Sequence, residues 1–113
     1  MTTELPSKLI LRSEIGDDSV VIYCAGRLTL EHAAELREEV KNTMAGKKRL
    51  TIDLRDVAQM DSSGLGAIVA IYIAAKRDGW ALNVVNYSDA IQKLLSLSNL
   101  LSLFEACGRA RMG

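Results

Sequence analysis

The stretch "LTIDLRDVAQMDSSGLGAIVAIYIAAKRDGW", residues 50–80, decides the fold. Its opening, "LTIDL", has the β-branched, alternating pattern of a strand that ends in polar Arg55-Asp56. A loop then carries the chain to Asp61-Ser62-Ser63, and from Leu65 onward the sequence is almost wholly apolar and reads as a helix from about Ser63 to Lys76. Strand, loop and helix in that order place Ser62 and Ser63 where the carboxyl end of a strand meets the amino end of a helix. Open α/β sheets gather their ligands and their chemistry at that edge.

The flanking segments extend the same pattern. Upstream, "KLILRSEIGDDSVVIYCAG" (8–26) reads as two short strands joined by a turn at Gly16-Asp17-Asp18-Ser19. "LTLEHAAELREEVKNTMAGKK" (28–48) sets Ala33, Leu36, Val40 and Met44 at helical spacing, with the charged residues on the other side. That helix is expected to start at Thr29 or Leu30 and to stop at Gly46. Downstream, Asp78-Gly79 is a turn, 81–86 a strand, and Ser88 the N-cap of a third helix with Ile91, Leu94 and Leu95 on its apolar side. "LSLFEACG" (101–108) reads as a last short strand. The expected fold is α/β, one domain over 1–113 with an ordered core of about 8–108: a small mixed sheet of four to five strands with helices packed on it.

Composition narrows the function classes. A chain of 113 residues encloses one core, and its 14 basic and 14 acidic residues cancel. Without a basic excess, nucleic acid is not an expected partner. The longest uncharged apolar run, Leu65 to Ala75, falls short of the roughly 20 residues that span a bilayer, so no membrane insertion is expected. "MTTELPSK" lacks the basic start and apolar core of a signal peptide, and a cytoplasmic location is expected. Cys24 and Cys107 are far apart in sequence, in apolar settings, and read as buried free thiols; no metal and no cofactor is expected.

The two serines admit two roles. Asp61, Ser62 and Ser63 are all good capping residues, and one of them is expected to bond the first turn of the helix. A helix start also presents unpaired N–H groups and a partial positive charge, which suit a phosphate. Two hydroxyls where one would do leave one unassigned, and spacing does not decide between the roles. The helix that follows is apolar on nearly every side: Leu65, Ile68, Val69 and Tyr72 do not fit one narrow stripe, so it is either wholly buried or partly turned toward a partner. Gly64 and Gly66 permit close approach of another backbone, and Gly64 serves the loop geometry equally well.

These segments resemble the STAS domain of bacterial anti-anti-sigma factors, also called anti-sigma factor antagonists. The resemblance runs from "VVIYCAGRLTLEHAAELREEV" through "LFEA" and is most specific at Asp61-Ser62-Ser63-Gly64-Leu65-Gly66. It implies a small mixed sheet with helices packed on it, and a partner switch. The unphosphorylated domain would bind an anti-sigma factor, often itself a serine kinase. Phosphorylation of the first serine after the aspartate, here Ser62, would end that binding, and a serine phosphatase would restore it. The implied partner surface takes in Asp61, Ser62, Ser63, Gly64, Leu65, Gly66 and Thr29. Members of the family often carry Asp where this chain has Thr29, which keeps a capping hydroxyl but not the charge. Other STAS domains are unphosphorylated subunits of transport or signalling complexes, the alternative function.

An enzyme is not expected. His32, the one histidine, sits among charged residues of the first predicted helix, and a Ser-His-Asp triad would need it to meet Ser62 or Ser63. No GxSxG elbow and no phosphate-cradling loop with a following Lys-Ser or Lys-Thr is present.

Overall fold

The structure is a computed structural model and describes residues 8–97; the expected strand at 101–108 and Cys107 lie outside the described residues. Among the described residues seven elements follow one another: β1 (Leu9–Ile15), β2 (Ser19–Leu28), α1 (Ala33–Thr43), β3 (Arg49–Met60), α2 (Ser62–Asp78), β4 (Ala81–Val85) and α3 (Asp89–Leu97). The four strands form one sheet in the order β1-β2-β3-β4. β1 and β2 pair antiparallel, from Leu9 opposite Gly26 to Ile15 opposite Val20. β3 lies parallel to both β2 and β4, so α1 and α2 are the crossovers that parallel neighbours require.

Strand chemistry sets the layers. In β2, Val20, Ile22, Cys24 and Leu28 are buried and alternate with half-buried Val21, Tyr23, Ala25 and Arg27. The β1–β2 turn closes with Gly16 N–H donating to the Ser19 carbonyl at 2.7 Å, and Lys47 Nζ grips it by donating to the carbonyls of Gly16 (2.6 Å) and Asp17 (3.1 Å). At the sheet edge, Arg12 pairs with Glu14 at 2.8 Å and lies over the Tyr23 ring. β3 runs past the expected end at Leu54 as far as Met60. Its far half pairs with Ala25–Leu28 of β2 through two register shifts, whereas β4 reaches only to Asp53. Arg55, Asp56, Ala58 and Gln59 are exposed in that half, which explains why it looks like a loop in the sequence.

Helix α1 buries Ala33, Leu36 and Val40, with Met44 buried just past its end, as its spacing predicts. It begins at Ala33 with His32 as N-cap, not at Thr29 or Leu30. The reason is that β2 continues to Leu28, and a tight turn must intervene: the Thr29 carbonyl accepts from the N–H groups of His32 and Ala33, both at 2.9 Å. Helix α2 ends at Gly79, whose left-handed φ of 79° suits glycine and whose N–H donates to the Ala75 carbonyl at 2.8 Å. Its apolar residues divide. Leu65, Ala67, Ile68, Ile71 and Ala75 are buried, Val69 and Tyr72 are half-buried, and Ile73 is 56% exposed. Ser88 caps α3 as expected, its Oγ accepting from Ile91 N–H at 3.2 Å, and Ile91 and Leu95 enter the core.

Cys24 is buried and free, and burial, helped by the nearby Asp53 carboxylate, pushes its thiol up to about 12. The thiolate is the reactive form. In a Cys107→Ser chain, Cys24 is therefore expected to resist an aromatic disulfide reagent at pH 8 and to react fully once the chain is unfolded in guanidinium. Rapid labelling of the folded chain would contradict its burial.

Candidate functional site

β3 delivers Met60 opposite Leu28 at the carboxyl edge of the sheet, and the next residue, Asp61, is extended (φ −115°, ψ −171°) and caps α2. One carboxylate oxygen, Oδ1, accepts from the N–H groups of Ser63 (2.9 Å) and Gly64 (3.1 Å). The other, Oδ2, accepts from Leu30 N–H at 3.1 Å, across 31 positions of chain. A single side chain therefore ties the start of α2 to the turn between β2 and α1. The capping task belongs to the acid, which leaves both serines without it. Ser62 stands exposed at the first position of the helix and Ser63 is half-buried beside it.

The close approach that glycine permits is internal at Gly64. A Cβ built there would overlap the Leu28 carbonyl oxygen, whereas one on Gly66 would meet nothing within 4 Å. Gly64, Leu65 and Thr29 are buried, so of the expected surface residues Ser62 and Gly66 face solvent and Asp61 and Ser63 are partly open. Thr29 contributes its backbone carbonyl to the turn, and the helix it precedes is capped by His32 without a side-chain bond. His32 is bound to Glu35 on its own helix, Nδ1 to Oε2 at 3.0 Å.

Electrostatics follow from the cap. The N–H of Gly64 first, then those of Leu30 and Ser63, holds the Asp61 carboxyl below the usual carboxylate range. A group whose folded value is depressed adds stability that is complete above its unfolded value and is lost as pH falls through the folded one. Asp61→Asn keeps an oxygen for the helix but turns an NH₂ toward Leu30 N–H, setting donor against donor. The expected result is a melting temperature lower by about 5 °C at pH 7, with the gap from the parent closing as pH falls below about 4. A gap independent of pH would remove Asp61 ionisation from the account.

Two features of the site are silent in the sequence. Leu30 continues the inward phase of β2, yet it is 73% exposed because the strand ends two residues earlier. Beside it, Arg27, Gln59 and Met60 join Thr29 and Asp61 around an open cleft of about 310 Å³. The pairings of Arg27 with Gln59 and of Leu28 with Met60 bring these segments together, and both lie beyond a register shift.

The protein-family model described as "Mlab, STAS domain" matches residues 11–105. The anti-sigma-B factor antagonist of Bacillus subtilis is 27% identical over 97 residues, 86% of this chain and 89% of that protein. Among solved structures, an anti-sigma factor antagonist from Mycobacterium paratuberculosis superposes with a TM-score of 0.75 at 22% identity, covering 90% of this chain and 87% of that one. The Bacillus cell fate determinant SpoIIAA in its phosphorylated form superposes with a TM-score of 0.69 at 18% identity, covering 91% and 89%. Those two structures share the fold. With 95 consecutive residues matched by the family model, the chain belongs to the STAS domain family.

Proposed function

We propose that this chain is an anti-sigma factor antagonist: unphosphorylated, it binds an anti-sigma factor that is also a serine kinase, and phosphorylation of Ser62 ends the complex and is reversed by a serine phosphatase. The observation that carries this reading is the exposed Ser62 hydroxyl at the first turn of α2, left unused by the cap because Asp61 makes it. The similarity to a protein named as an anti-sigma-B factor antagonist supports the general role.

The physics of the switch is local. A phosphate adds about −1.5 to −2 charges, and the N-terminal end of α2 tolerates them better than any other part of a helix. The domain then stays folded while its surface becomes strongly anionic beside Asp61 and the exposed Glu31. A partner packed on Ser62 would have to bury that charge. In this scheme the chain is the substrate of phosphoryl transfer and not its catalyst, and it works in the cytoplasm beside the transcription machinery.

Thr29, uncharged and buried where many members carry Asp, favours a second reading: a STAS subunit of a transport or signalling complex that uses the same surface without modification. Incubating the chain with the anti-sigma kinase and ATP, then weighing the intact protein, separates the two. The first reading requires one added phosphate that Ser62→Ala does not acquire. No added mass on the parent chain would leave the second.

A further inference from the structure

A second candidate site lies at the other end of α2, about 18 Å along the helix from Ser62. There residues of α1 and α2, with Trp80, line a half-open cleft of about 320 Å³. Its floor is apolar, made by Val40, Met44, Ile71 and half-buried Trp80. Its rim is basic. Arg37 and Lys41, one helical turn apart on α1, are exposed and take part in no ion pair among the described residues. Arg77, on the opposite rim, is already held by Asp78 through two bonds of 3.0 and 3.1 Å.

The dimensions and charges select the occupant. A cleft of this volume stands at the small end of ligand pockets, roughly 300–1,000 Å³, and does not admit a helix about 10 Å across. Two unpaired cations call for an anion, and the guanidinium fork suits a carboxylate. Both helices end beside the cleft, so their negative dipole ends, together with Asp78, disfavour a dianion. An apolar floor with a cationic rim requires an apolar body attached to the charge.

We propose that this cleft binds a small amphiphilic monoanion, a linear carboxylate whose chain lies on Met44, Ile71 and Trp80 and whose head meets Arg37 and Lys41. Nothing in the assignment depends on Ser62 or on an anti-sigma partner. Trp80 is the only tryptophan of the chain and reports directly on the floor.

The test titrates the full chain with octanoate while following tryptophan fluorescence, and repeats the titration by calorimetry. A saturable change is expected, with hexanoate about fifteenfold weaker at roughly fourfold per methylene and octylammonium inert. Arg37→Glu combined with Lys41→Glu, both on the exposed face of α1, is expected to weaken octanoate by about tenfold or more while circular dichroism stays unchanged. The proposal is overturned if octanoate gives no saturable change below about 10 mM, if octanol or octylammonium binds as tightly, or if the double variant binds octanoate like the parent.

Discussion

Gly64→Ala is expected to lower the melting temperature by about 10–20 °C, the largest stability change available from a single methyl group at the site. The added carbon falls on the Leu28 carbonyl, and its neighbours include no flexible side-chain end that could simply rotate aside. Either α2 moves off the sheet or the end of β2 bends, and overpacking of this kind costs about 1–3 kcal/mol, several degrees per kcal/mol in a domain this size. Gly66→Ala is the matched control. Its Cβ would meet open space, so relief of glycine's backbone entropy should stabilise the helix by about 0.5–1 kcal/mol. Thermal unfolding of both variants by circular dichroism checks the pair. Equal shifts of the same sign would mean that α2 does not sit on Leu28.

The second large effect concerns binding. Under the proposed function, Ser62→Ala should bind the anti-sigma partner like the parent, because only an exposed hydroxyl is lost. Ser62→Asp should bind it about a hundredfold to a few thousandfold more weakly, since leaving one charge buried and unpaired in an interface costs about 3–5 kcal/mol. Its melting temperature should be level with the parent's or slightly higher, as an acid in the first turn of a helix is favoured. Calorimetric titration of both variants gives the comparison. Tight binding by Ser62→Asp would sink the switch, as would kinase labelling that persists in Ser62→Ala and disappears in Ser63→Ala.

Much of this arrangement is legible in the sequence because periodicity encodes burial. Leu36 and Val40 mark the inner face of α1, and the alternation of β2 marks the inner face of the sheet. Asp61-Ser62-Ser63 marks a helix start, but residue types alone do not show which of the three caps it. That is settled by geometry, since an extended Asp61 reaches both the first-turn amides and the distant Leu30 amide. The far half of β3 escapes notice because, among the described residues, it is paired on one side only and carries polar residues like a loop. Leu30 escapes it for the opposite reason, being apolar and in phase with β2 yet beyond the strand's end. The cleft between α1 and α2 is lined by both helices together, which no single helix records.

The Arg12–Glu14 pair on β1 bears on how the protein behaves when concentrated. Among the described residues β1 is an outer strand of the sheet, and its backbone is a template on which another chain could add a strand. Ile10 and Ile15 are 52% and 59% exposed along it, and the whole molecule has a formal charge of zero, so no long-range repulsion keeps copies apart near neutrality. By strand alternation Arg12 and Glu14 share the outer face of β1 with Ile10, whereas Ile15 falls on the other side. Stacking on that face would bury the Arg12–Glu14 ion pair, so a chain with threonine at both positions is expected to associate more readily when concentrated.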